Sequence, residues 1–347
     1  STMDGVTLSG SAAGNYYVTG PTTALTANIT KAPLTITANN QASFVTLNTA
    51  PLAYSQIGLL GGDAIASVGL TTTASSSQPA GSYAITAANA TGAAMANYNI
   101  TYQSGTYTIV PAGQVLITTT GATTNYGTPA TFANPTVSYM VSSTGPVISN
   151  LYLTGSTTTA GVTTYTYADS TGATVSFNFA PSNPVMSGSN NVKVGIYGLT
   201  AANFVKTGNN ITNTSAVVTG DLTVNPLPVT VTATPVTYMY NGTVRTQAYT
   251  APAIFANDSV LINGVATGKN VGSYNSSLTA SGVDAANYDF TYVNAALVIT
   301  PYVINYGAGG SGPGIAAAAN NKVYNANTTA TGSLTMINLF PGDVVNA

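Results

Sequence analysis

Residues 285–301 read "AANYDFTYVNAALVITP", and the reading of this phrase decides the fold. It holds two short runs in which apolar and aromatic residues alternate with polar ones, a glycine-free turn, and a closing proline. Alternation with period two is the signature of a half-buried strand, and proline cannot extend a strand's ladder of hydrogen bonds. Related phrases occur at 12–33 ("AAGNYYVTGPTTALTANITKAP"), 95–111 ("MANYNITYQSGTYTIVP") and 201–226 ("AANFVKTGNNITNTSAVVTGDLTVNP"). A phrase repeated four times predicts a repeat protein in which it forms each unit's closing hairpin. In this reading Asn turns the chain in the left-handed conformation and the following aromatic ring enters the core.

Working outward, Leu34-Thr-Ile-Thr-Ala38, Tyr107-Thr-Ile-Val110, Val115-Leu-Ile-Thr-Thr-Thr120 and Val229-Thr-Val-Thr-Ala233 largely alternate aliphatic residues with threonine. Such β-branched runs predict strands with one hydroxyl-rich face in water. Gly, Asn, Ser and Pro clusters such as "GLLGGD", "SSSQPAGS", "NYGTP" and "APSNP" separate them and supply turn conformations. No long window shows a 3.6-residue period, so the expected fold is all-β. Tandem small sandwiches of immunoglobulin-like type are expected, with a β-grasp-like unit as the alternative.

Composition narrows the function. The chain has eight Asp, five Lys and one Arg among 347 residues, with no Glu, His, Cys or Trp. Six scattered cations make no phosphate-binding patch, which argues against nucleic acid as a partner. Without His, Glu or Cys the usual tunable acids, bases and nucleophiles are missing, so no enzyme activity and no catalytic residue is expected. No metal site and no cofactor are expected either. The nearest approach to a calcium loop, Asp284 with Asp289, reads as loop capping. No apolar run is long enough to cross a bilayer as a helix, and no membrane insertion is expected. Most of the 22 tyrosines are expected in cores or strand pairs.

The Asn-aromatic pairs Asn15/Tyr16, Asn97/Tyr98, Asn203/Phe204 and Asn287/Tyr288 are spaced by 82, 106 and 84 residues. The closing prolines Pro33, Pro111, Pro226 and Pro301 are spaced by 78, 115 and 75. Each interval fits one small β domain. The expected organisation is closing strands of an incomplete repeat at 1–33, repeats at 34–111, 112–226 and 227–301, and opening strands of a further repeat at 302–347. The longest interval carries about thirty extra residues, assigned to "GVTTYTYADSTGATVSFNFAPSNPVMSG" (161–188). Further elements recur inside the units: Gly81-Ser-Tyr83 with Gly272-Ser-Tyr274, Gly62-Asp63 with Gly342-Asp343 and Asn257-Asp258, and Asn125-Tyr-Gly127 with Tyr240-Asn-Gly-Thr243 and Val323-Tyr-Asn-Ala-Asn-Thr-Thr329.

These motifs, with "PAGSYAIT" and "NVGSYNSSLTASGVDAANYDFTY", resemble the MBG (mostly beta, glycine-rich) and YDG repeats of large bacterial exoproteins. The resemblance covers most of the chain and is weakest over 112–226. It departs from the usual pattern where Asn241 and Asn325 stand for the name-giving Asp. It implies an extracellular stalk or fibre of a filamentous-haemagglutinin-like adhesin on the cell surface or in biofilm matrix. The partners it implies are neighbouring repeats or self-association, with matrix polysaccharide or a host or cell surface beyond them. The two end segments, 33 and 46 residues, together match one unit in length. They suggest either a window of a longer array or subunits that complete one another's strands head to tail. An array of carbohydrate-binding modules is a third expectation.

Overall fold

The computed structural model describes residues 28–144, 147–306, 312–324, 326–329 and 331–345. About half of the chain is strand, and the described residues contain 3₁₀ turns but no α-helix. The β-grasp alternative needs a helix laid on its sheet, so β-sandwich units describe the architecture better. In the first unit, strand 32–38 pairs antiparallel with 54–57 and parallel with 98–103. A second sheet runs 41–44, 105–110, 81–91, 67–72. Leu34, Ile36 and Ala38 point from the first sheet, and Ile85, Tyr107 and Ile109 from the second, into one buried core. The period-two alternation thus turns the aliphatic residues inward, but the threonines between them are not left in water: Thr35 is half-buried, and Thr37 is buried and donates to Gln103 Oε1 at 2.9 Å.

The opening phrase is not a hairpin. Strand 288–293 pairs in parallel with 227–233, whereas strand 296–300 pairs with 236–239 and 272–275 in a different sheet. The first unit divides its closing strands in the same way. In the second unit, 216–219 lies parallel to 115–118 and 221–225 parallel to 122–125. In every unit, then, the two opening strands take the two closing strands as parallel partners. Bringing a unit's first and last strands together in both sheets is a long-range pairing that no local turn signal announces. At the corner where the first unit changes sheets, a Cβ on Gly105 would lie 2.2 Å from the Ala38 carbonyl oxygen. Glycine is required there by close backbone approach.

Register also revises the repeat markers. Asn97 and Asn287 end 3₁₀ turns, 95–97 and 285–287, from which Tyr98 and Tyr288 enter the core as the first residues of the closing strands. Neither asparagine is left-handed. Asn203 is, with φ of 51°, but it lies with Phe204 inside strand 195–206, beside an irregularity in the ladder to 174–181. Its amide donates to Asn178 Oδ1 at 2.9 Å. It marks a bulge, because the second unit's extra strands separate this phrase from the true closing strands at 216–225. Pro111, Pro226 and Pro301 each follow a last strand directly, whereas Pro33 is the second residue of an opening strand, opposite Asn99. Its counterpart is Pro228, opposite Asp289. Asn15 and Tyr16 lie outside the described residues.

Gly81-Ser-Tyr83 and Gly272-Ser-Tyr274 do correspond. Both run antiparallel to the last strand, and both tyrosines donate to a carbonyl four residues back, Pro79 and Asn270, at 2.8 Å. The segment from 302 onward forms strands 305–306, 314–319 and 332–337. No helix among the described residues is long and apolar enough to cross a membrane.

Candidate functional site: a tyrosine–aspartate joint between units

Three turns, Leu60–Asp63, Phe255–Asp258 and Phe340–Asp343, have one construction. In each the Asp N–H donates to the carbonyl three residues earlier, at 2.9, 3.0 and 3.0 Å. This is the closing bond of a β-turn. In two of them the tyrosine that begins the unit's own closing strand reaches back to the turn. Tyr98 Oη donates to Asp63 Oδ2 at 2.7 Å and accepts from Leu60 N–H at 3.0 Å. Tyr288 does the same with Asp258 at 2.6 Å and Phe255 at 3.1 Å.

A second tyrosine arrives from the preceding unit. Tyr126 follows the second unit's strand 122–125 and Tyr240 follows the third unit's strand 236–239; their N–H groups are held by the carbonyls of Asn225 and Thr300. Tyr126 donates to Asp258 Oδ2 at 2.6 Å, and Tyr240 donates to Asp343 Oδ1 at 2.6 Å. Each ring stands edge-on to the phenylalanine three residues before that aspartate. The centroid distances are 5.6 Å for Tyr126–Phe255 and 5.7 Å for Tyr240–Phe340. This is the favoured T-shaped geometry, and the edge contact adds to area burial.

The second unit's extra residues complete its joint. Ser189 donates both its N–H, at 2.9 Å, and its hydroxyl to Asp258 Oδ1. Ser187 Oγ lies within hydrogen-bond distance of Tyr126 Oη. A hydroxyl has one proton, so Tyr126 gives its own to Asp258 and accepts that of Ser187. Lys193 pairs with Asp284 Oδ1 at 2.8 Å, and Val194 N–H donates to Asn287 Oδ1 at 3.1 Å. Asp284 therefore serves the joint, and its partners are Lys193 and the N–H groups of Ser259 and Gly188.

Electrostatics follow from these bonds. Burial pushes the Asp258 carboxyl up, but the hydrogen bonds from Ser189, Tyr126 and Tyr288 outweigh it and hold the pKa down at about 2. Burial, then the hydrogen bond to Asp258, raises both Tyr126 and Tyr288, which remain O–H donors. An ionised acceptor facing two neutral donors is a fixed charge-assisted cap. It has the character of a fastener and offers no acid–base pair poised near neutrality. A cavity of about 460 Å³ lies beside the joint in the second unit, lined by Asn125, Gly127, Phe132, Phe179, Asn190 and Val192 among others, with no Asp, Lys or Arg in its wall.

The joint between the first and second units is built differently. Val45 holds the place of Tyr126, with its N–H on the Val110 carbonyl. Phe44 and Val110 there form one buried cluster with Leu116 and Met140. In the sequence the aspartate turns and the tyrosine turns are separate recurring motifs, and only the fold shows that one receives the other. Ser187, Ser189 and Lys193 carried no signal at all, because each is a single residue inside an irregular loop.

Gly127, next to Tyr126, has φ of 76°, and a Cβ there would lie 2.3 Å from Phe255 Cζ. Gly127→Ala therefore adds backbone strain to a clash with the ring. The expected loss is about 1–3 kcal/mol in chemical denaturation. The same change at Gly172, which also has positive φ but open space around it, separates the two terms.

No curated protein matches the chain. Residues 34–108, which span nearly all of the first sandwich, match the family model of the MBG domain, YGX type, and the chain thus carries a domain of the family that its repeat motifs resemble.

Proposed function

We propose that the chain is a structural repeat segment, a stalk or fibre portion of an extracellular bacterial surface or matrix adhesin, and that it acts without catalysis. The second unit is held to the third, and the third to the segment after it, by joints in which an aspartate receives a tyrosine from the unit before it, while the first and second units meet through the Phe44, Val110, Leu116 and Met140 cluster. The observation that carries this reading is the recurrence of that joint at Asp258 and at Asp343, with the same bond and the same ring contact. Two successive joints with one geometry give those neighbours a constant relation, as a shaft requires. MBG domains are typical of surface-exposed proteins, which supports the location.

The chain has no cysteine, so spin labels are easily placed through introduced ones. Labels at Thr157 and Val293, both exposed, report the distance between the second and third units. A narrow distance distribution is expected for the parent chain and a broad one for Tyr126→Phe. A broad distribution in the parent chain overturns the shaft. Saturable binding of matrix polysaccharide, lost on changing tyrosines of one face, favours the carbohydrate-binding reading instead.

A further inference from the structure

The turn that leads into the third unit's closing strand holds a buried amide nitrogen with nothing to bind. Asn287 is 2% exposed, its Oδ1 accepts the N–H of Val194 at 3.1 Å, and its Nδ2 has no hydrogen-bond partner among the described residues. Buried amide groups are ordinarily paired, so an orphan in a packed joint needs a physical reason. Three residues earlier Asp284, also 2% exposed, gives Oδ2 to the N–H groups of Ser259 and Gly188 and leaves Oδ1 to the Lys193 ammonium at 2.8 Å. The N–H of Asn287 donates to the Asp284 carbonyl at 3.0 Å and closes the 3₁₀ turn, which sets residues three apart on one side. Lys193 and Val194 are consecutive. The second unit's loop therefore brings an amine to the carboxylate and an N–H to the neighbouring amide carbonyl. The turn itself requires no such cluster, because the first unit builds the same turn at 95–97 with Ala94 in the place of Asp284.

We propose that this cluster is an isopeptide site, in which Lys193 Nζ is joined to Asn287 Cγ and ties the second unit covalently to the third. A transamidation needs an amine, an amide carbonyl and a group that carries protons between them, and all three meet here. One proton passes from the Lys193 ammonium to Asp284 Oδ1 across their contact, leaving a neutral amine. The amine's lone pair forms the bond to Asn287 Cγ, and the Val194 N–H stabilises the charge that develops on Oδ1. Asp284 gives its proton to Nδ2 and takes the second proton of Nζ; the Cγ–Nδ2 bond breaks and ammonia leaves. The unpartnered Nδ2 suits a leaving group, since no hydrogen bond holds it in place. The reaction consumes no outside reactant and occurs once per chain, so lasting proximity compensates for a small reactive fraction.

The mass of the full chain, read by electrospray under denaturing conditions, is the test. The parent chain is expected to be lighter than its sequence by one ammonia, and its digest to contain a branched peptide joining the Lys193 and Asn287 segments. Lys193→Arg keeps the cation and removes the reacting amine. Asp284→Ala removes the proton carrier from a turn that the first unit forms without one. Both variants are expected to show the full sequence mass and no branched peptide. A parent chain at full sequence mass overturns the proposal. So does a loss of ammonia that persists in Lys193→Arg, the result that succinimide formation at Asn241–Gly242 or Asn263–Gly264 gives. A loss of water with a Lys193–Asp284 branch overturns the assignment of Asn287 as the acceptor. The mass and the spin-label distances are separate readouts, so a broad distance distribution refutes the shaft without touching this bond.

Discussion

Asp258→Ala is expected to destabilise the second and third units by about 3–5 kcal/mol, because two buried tyrosine hydroxyls lose their acceptor together. Asp258 receives four hydrogen bonds, from Tyr126, Tyr288 and twice from Ser189. Tyr126 is fully buried and Tyr288 nearly so, and water cannot replace the carboxylate without opening the joint. Asp258→Asn keeps the shape and one good acceptor, and about half of the loss is expected. Hydrogen exchange is expected to rise first in loop 182–194, which Asp258 and Asp284 anchor, before either core opens. The pH dependence has a definite sign. The folded-state pKa of about 2 lies below the ordinary value of 3.8, so this group's stabilisation is complete above pH 4 and is lost as pH falls towards 2. Urea titrations at pH 6 and pH 3 check both points. A loss below about 1 kcal/mol for the alanine variant, or an unchanged acid slope for the asparagine variant, refutes this role of Asp258.

Asp221 is expected to act in the opposite direction. It is 7% exposed at the start of strand 221–225, beside Asn40 of the first unit, and Oδ2 has no hydrogen-bond partner among the described residues. Burial pushes its carboxyl up to about 7 against a smaller opposing hydrogen bond from the Asn40 backbone, and no cation contributes. The folded chain therefore holds a proton that the unfolded chain releases near pH 4. Stability from this group is full below pH 4, declines between about 4 and 7, and is absent above. The span is about 2–4 kcal/mol. Asp221→Asn is expected to match the parent chain at pH 4 and to exceed its stability by that amount at pH 8. Equal pH slopes for the two proteins exclude this effect. Because Asp221 lies where the first and second units meet, the same titration is expected to loosen that contact at alkaline pH.

The all-β fold and the MBG-type domain at 34–108 were legible because they rest on local properties. Alternation in Leu34–Ala38 and Val229–Ala233 needs only one face in a core and the other in water, and that pattern survives any sheet order. The recurring Gly-Asp and Tyr-Asn turns were also visible as words in the sequence. Their grammar was not. Residues 288–300 read as a hairpin because adjacent strands usually pair, yet each strand found its partner some sixty residues away, on opposite sheets. Asn203 and Phe204 matched the repeat phrase by residue type and landed in a bulge, since inserted strands shifted the closing pair downstream. The sequence by itself determined which residues face a core and which can turn. Only the tertiary structure decided that Asp258 receives Tyr126 across 132 positions, because a hydrogen bond between units depends on how two finished sandwiches pack, and no local period encodes that distance.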